Sequence, residues 1–164
     1  MSPKSTYDQG SGPYTITDCS VMTQRMLIVE PDHAASTLFD QWLQDMGYHV
    51  TAVGDGGQAM HVLRSQSIDG LILDLQVPVM DGLTMLTQLR QRYADIPVIV
   101  LASVDMTDLL LEALESGAHD YLTKPVSQHL FKQKCRRVFL QQHGTQIFHP
   151  TPATGWEKSR TELN

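Results

Sequence analysis

Met26-Leu27-Ile28-Val29, Leu71-Ile72-Leu73 and Val98-Ile99-Val100-Leu101 are short and wholly apolar runs rich in β-branched residues and leucine. Runs of this kind mark strands covered on both faces, as in parallel sheets. Residues 48–53 (YHVTAV) are more mixed and 120–123 (DYLT) are fewer, so both suit edge strands. Amphipathic segments of helical length separate the runs. The first spans about Ala34 to Met46, with Leu38, Trp42 and Met46 on one stripe and Gly47 as its C-terminal cap. The others are expected over Gly57–Ser65, Leu83–Tyr93, Met106–Ser116 and from Ser127, a candidate N-cap, to about His143.

Five strand–helix units in a row predict an α/β fold, a doubly wound parallel sheet in a three-layer sandwich. With the three apolar strands central, the order 2-1-3-4-5 follows. That is the flavodoxin-like order, which puts a ligand site beyond the carboxyl ends of the central strands. Residues 1–23 and 144–164 are rich in small and polar residues without periodicity, and are expected to be flexible tails around a domain at 24–143.

Composition narrows the class. Hydrophobic residues make up 41% and charged residues 18%, a globular balance. The net charge of −6 argues against a nucleic-acid or anionic-membrane partner. Cys19 and Cys135 fit neither a disulfide framework nor a zinc spacing. No apolar run is long enough to cross a bilayer and no signal-peptide core opens the sequence, so a cytoplasmic protein is expected.

The strand ends carry the candidate chemistry. Glu30-Pro31-Asp32 follows the first strand, Asp74 the third, Ala102-Ser103 the fourth and Lys124-Pro125 the fifth. Carboxylates converging with a lysine are what Mg²⁺-dependent phosphoryl transfer uses. Taken singly, each acid could merely cap a helix or pair with the lysine. For Asp74 that reading is weak, because an acid ending a buried apolar strand needs a strong partner. A flavin- or nucleotide-binding enzyme fits poorly, since Glu30-Pro31-Asp32-His33 stands where a glycine-rich phosphate loop would be.

Residues 70–82, GLILDLQVPVMDG, closely resemble the phosphoacceptor segment of response-regulator receiver domains in two-component signalling. Residues 96–101 (IPVIVL) are similar to that family's fourth strand, and Gly117-Ala118 with 120–125 (DYLTKP) to its fifth. The resemblance covers roughly 24–143. It implies that Asp74 accepts a phosphoryl group as an acyl phosphate and that Lys124 pairs with that group. It further implies that Glu30, Asp74 and the Gln76 carbonyl hold Mg²⁺, and that Tyr121 is the aromatic whose rotation reports phosphorylation. Asp81-Gly82 reads as turn chemistry before the third helix.

Two positions depart from the family pattern. Pro31 stands where the family has a metal-binding acid, so Mg²⁺ is expected to bind weakly. Asp32 is better placed to cap the first helix than to replace that ligand. Ala102 stands where the family has a Ser or Thr hydroxyl. Ser103 is adjacent, but one residue along a strand faces the other way, and only a bulge or an early strand end would bring it back. A hydrogen bond to a charged phosphoryl oxygen is worth roughly 1.5–3 kcal/mol, so Ala102 should weaken coupling to Tyr121 more than transfer itself.

Two functions follow. One is a single-domain response regulator in a phosphorelay, phosphorylated on Asp74 by a histidine kinase or phosphotransfer protein and signalling by docking through its fourth helix, fifth strand and fifth helix. It would be no enzyme beyond its own phosphotransfer and dephosphorylation. The other is a pseudo-receiver, a protein–protein interaction module indifferent to phosphate. Asp74, Lys124 and Tyr121 favour the first; Pro31 and Ala102 favour the second. In the fourth helix one stripe cannot bury Leu109, Leu110 and Leu111 together, so at least one leucine should be exposed. The cations Lys132, Lys134, Arg136 and Arg137 read as a solvated face of the fifth helix.

Overall fold

The computed structural model describes residues 23–140. The expected tails, apart from Thr23, and the expected end of the last helix lie outside the described residues. Five strands alternate with five helices: β1 (Arg25–Val29), α1 (His33–Asp45), β2 (His49–Val53), α2 (Gly56–Ser65), β3 (Gly70–Asp74), α3 (Gly82–Arg92), β4 (Val98–Ser103), α4 (Thr107–Glu115), β5 (Asp120–Lys124) and α5 (Gln128–Leu140). The strands form one parallel sheet in the order β2-β1-β3-β4-β5. The predicted fold class and strand order hold.

Strand alternation sorts the core into two layers. Leu27, Val29, Leu71, Leu73, Val98, Val100 and Ala102 face α2, α3 and α4. Met26, Ile28, Ile72, Ile99 and Leu101 face α1 and α5. Every residue of β3 is buried, which explains its unbroken apolar run. On the second layer Phe39 stacks on Phe131 with ring centroids 5.1 Å apart.

Two expectations about helix faces need correction. In α1 the buried pair is Phe39 and Leu43, while Trp42 and Met46 pack only at the margin and Leu38 is exposed. The stripe Leu38–Trp42–Met46 is apolar, but the helix is rolled so that the neighbouring i, i+4 row is buried; Phe39 stacks on Phe131, and Trp42 meets the same ring edge-on from the margin. In α5, Lys134 and Arg137 are not simply solvated: both pair with the buried Asp120 at the start of β5. Of the leucine triplet in α4, Leu110 is buried and Leu111 is exposed.

Turn chemistry closes the units. Asp32, Asp55 and Asp81 each accept a bond from the backbone N–H three residues on, capping α1, α2 and α3. Gly47 ends α1 at φ 91°, the left-handed position expected of it. Cys135 is a buried thiol in α5, and its burial pushes its pKa up. No helix among the described residues is long and apolar enough to cross a membrane.

Candidate functional site

β1 and β3 are neighbours in the sheet, so their carboxyl ends bring Glu30 and Asp74 side by side. Both are buried, each 2% exposed. Lys124, ending β5, reaches across β4 to both. Its ammonium donates to Asp74 Oδ2 and stands 2.7 Å from Glu30 Oε2. The Glu30 contact lies off the axis of a directed hydrogen bond, so it is ionic in character. The other carboxylate oxygens take backbone donors: Asp32 N–H to Glu30 Oε1 at 2.9 Å and Gln76 N–H to Asp74 Oδ1 at 2.8 Å.

Burial pushes the Glu30 carboxyl above its ordinary range, although the Lys124 ammonium and the Asp32 amide pull the other way. For Lys124, burial favours the neutral amine, but the two carboxylates outweigh it and raise the ammonium above the usual lysine value. The charged cluster is thus held together by mutual pairing in a desolvated cleft.

The expected site residues Glu30, Asp74, Gln76 and Lys124 therefore converge. For a divalent ion the available donors are the carboxylates of Glu30 and Asp74 and the carbonyl of Gln76. All are hard oxygens, as Mg²⁺ requires, and Glu30 Oε2 is a buried acceptor without a directed bond. The residues fit such an ion, but with a thin set of side chains. Among the described residues no three His, Cys, Asp or Glu side chains gather as a metal-binding group. Asp32 does not fill the gap left by Pro31, since its Oδ1 accepts the Ala35 N–H at 2.7 Å. Beside Pro31 a polar cavity of about 360 Å³ opens, lined also by Glu30, His33, Asp40 and Gln58. An aspartate at position 31 would have room and water there. Pro31→Asp is expected to tighten Mg²⁺ binding about tenfold through the added ligand charge. Magnesium titration followed by amide NMR at Gln76 measures this; an unmoved midpoint would mean that water already serves that coordination position as well.

Ala102 is fully buried on the layer facing α2–α4. The strand continues past it without a bulge, Ala102 paired with Thr123 and Ser103 with Lys124. The Ser103 hydroxyl does not return to Asp74; it points to Gln76 Oε1, 3.5 Å away at the outer limit of a hydrogen bond. Tyr121 stands outward, 39% exposed, with the Lys134 ammonium 4.4 Å from its ring centre.

Two features escaped sequence reading. Gly82 is more than a turn residue. A Cβ there would fall 2.6 Å from Leu75 Cα and 2.7 Å from the Asp74 carbonyl oxygen, so the start of α3 lies directly against the backbone of the acceptor. Its N–H donates to Leu75 O. The second is the Asp120 cluster. Burial pushes the Asp120 carboxyl up, but bonds from Lys134, the Tyr121 amide and Arg137 outweigh it and hold the group below the usual carboxylate range.

Residues 26–136 match the sequence profile of the family described as the response regulator receiver domain. This chain belongs to that family. It is 35% identical over 117 residues to the transcriptional regulatory protein KdpE of Staphylococcus aureus, covering 71% of this chain and 50% of that protein. With the transcriptional regulatory protein QseB of Haemophilus influenzae it shares 38% over 101 residues, 62% of this chain and 46% of the relative. The chain thus spans about half the length of the curated relatives it matches. Among solved structures, the receiver domain of the Francisella response regulator 1452 is 27% identical with a TM-score of 0.67, covering 73% of this chain and 98% of that one. The chemotaxis response regulator CheY4 of Vibrio cholerae is 25% identical with a TM-score of 0.66, covering 70% and 98%. The acidic cleft of this receiver domain lies at the carboxyl ends of β1, β3 and β5.

Proposed function

We propose that this receiver domain accepts a phosphoryl group on Asp74 from a histidine kinase or phosphotransfer protein in a two-component relay, acting in the cytoplasm. The observation that carries the reading is Asp74 itself: a buried carboxylate at the end of β3, bonded to Lys124 and adjacent to Glu30. In the reaction an Asp74 oxygen attacks the phosphorus of a phosphohistidine. The P–N bond breaks as the O–P bond of the acyl phosphate forms, and the imidazole leaves with a proton. Lys124 stays within reach of the new group and balances its charge, a role worth more in a desolvated cleft than in water. Mg²⁺, when bound through Glu30, Asp74 and the Gln76 carbonyl, neutralises phosphoryl charge. Hydrolysis returns the carboxylate and inorganic phosphate, and no other catalysis is assigned.

Output is by docking at α4, β5 and α5, where Leu111 and Tyr121 are exposed. The relatives named as transcriptional regulators do not extend that role to this chain. A second reading rests on Pro31 and the buried Ala102: a pseudo-receiver that docks a partner whatever the state of Asp74.

Intact-mass analysis after incubation with Mg²⁺ and a small phosphodonor separates the two. Wild type is expected to gain one phosphoryl group slowly, and Asp74→Asn to gain none. Wild type that stays unmodified at saturating donor sinks the phosphoacceptor reading and leaves the docking module.

A further inference from the structure

Asp120 opens β5 as a buried carboxylate that takes no part in the phosphoacceptor cleft. Two cations of α5 hold it. Lys134 donates to Oδ1 at 2.9 Å, and Arg137 donates to Oδ2. The Tyr121 N–H adds a bond to Oδ1 at 2.8 Å. The lysine does more than neutralise the acid. Its ammonium also donates to the Tyr121 carbonyl and stands 4.4 Å from the centre of the Tyr121 ring. Two of its three N–H groups are thus fixed on acceptors, and the remaining positive edge is left over the aromatic face. Its side chain is only 17% exposed, so this charge is partly withdrawn from water and its attraction to the ring is correspondingly stronger.

An inward turn would carry the ring toward the β4 side chains of the same face. Tyr121 pairs with Val100 and Thr123 with Ala102 in the β4–β5 register, and Val100 and Ala102 face the layer of α4. Ala102 presents a methyl on that face, where the family pattern has a hydroxyl-bearing side chain. In the outward position the ring face meets the Lys134 ammonium.

We propose that Lys134 is the positioning residue for Tyr121: anchored by Asp120, it holds the ring outward on the α4–β5–α5 surface and sets the resistance that any inward turn must overcome. As a regulatory device this rests on the phosphoacceptor reading; as a statement about the ring it does not. Arg137 is the accessory anchor. It bonds Asp120 from the solvent side and keeps the carboxylate in register for Lys134.

The test uses the full chain without phosphodonor, with labelled tyrosine observed by NMR. Wild type is expected to show one dominant Tyr121 side-chain rotamer, with nuclear Overhauser contacts from the ring to the Lys134 ε-methylene. Lys134→Met keeps the apolar stem and removes the charge. It should shift the outward-to-inward ratio about fivefold toward inward, as loss of a cation–π contact requires, with new contacts to the Ala102 methyl. Lys134→Arg should restore the outward ring. A wild-type ring without contacts to Lys134 overturns the proposal, and that measurement needs no variant to fold. So does an unchanged ratio in a folded Lys134→Met, or Lys134→Arg behaving as methionine does. Failure of Asp74 to take a phosphoryl group leaves all these readouts intact, and failure of the ring test leaves the mass measurement intact.

Discussion

Methionine at Lys124 is expected to lower folding stability by about 3 kcal/mol and to slow acyl-phosphate formation on Asp74 about a hundredfold. Methionine keeps most of the apolar stem, so the loss is that of the ammonium. Glu30 and Asp74, both nearly inaccessible to water, would then face each other without a cation. Removing one partner of a buried pair costs more than the pair is worth, because the charge left behind keeps its desolvation penalty. Lys124 is itself 27% exposed, which places the figure at the low end of the range for such losses. The variant can lessen the damage by taking up a proton. Glu30 already sits above its ordinary pKa through burial, and without Lys124 it should rise further. A folded pKa above the unfolded one means that the folded state binds more protons, so stability falls as pH rises between the two values. The deficit against wild type should therefore widen from the ordinary carboxylate range toward neutrality. Urea titrations in chelator at several pH values read this directly. A deficit that is flat with pH would show that water, not Lys124, solvates the two acids.

Gly82→Ala is the second large effect, with an expected loss of about 3 kcal/mol and a slower Asp74. Alanine normally improves a helix over glycine by roughly 1 kcal/mol, so intrinsic propensity predicts the opposite sign. Sterics decide. The new methyl would lie 2.6 Å from Leu75 Cα and 2.7 Å from the Asp74 carbonyl oxygen, and backbone atoms cannot step aside by changing rotamer. Either α3 withdraws or the peptide after Asp74 moves, and the second disturbs the Gln76 N–H that bonds the acceptor carboxylate. Gly54→Ala serves as the control, since a Cβ there meets nothing within 4 Å. Denaturant midpoints and phosphorylation rates should single out Gly82. If both alanines are tolerated alike, α3 is free to shift and the close approach has no hold on the site.

The parts of this architecture legible in the sequence are those written in periodicity. Unbroken apolar runs marked β1, β3 and β4 as central, and that fixed the strand order and the ends at which Glu30, Asp74 and Lys124 meet. Periodicity fails where two neighbouring helical rows are both apolar. In α1 the apolar row read from the sequence runs through Leu38, Trp42 and Met46, whereas the row that is buried runs through Phe39 and Leu43. It also fails where backbone meets backbone, because the approach of Gly82 to Asp74 leaves no trace beyond a glycine suited to any turn. The α5 cations read as solvated because their partner, Asp120, looked like an edge-strand residue. Its burial comes from α5 covering β5, a contact that no local pattern announces.

The continuous register of β4 with β5 carries a consequence for how this site can change. Ala102 faces Thr123 and Ser103 faces Lys124 in an unbroken ladder. A one-residue slip that brought the serine into the place of the alanine would also turn Val98 and Val100 into the layer now filled by Ile99 and Leu101. The hydroxyl and the core are thus bound to one parity, and the backbone cannot trade one against the other. The sheet works as a ruled scale: a side chain can be exchanged at any mark, but the marks themselves do not move. Recovery of a hydroxyl beside Asp74 is open to a change of side chain at position 102 and closed to loop remodelling, however much the β4–α4 connection varies.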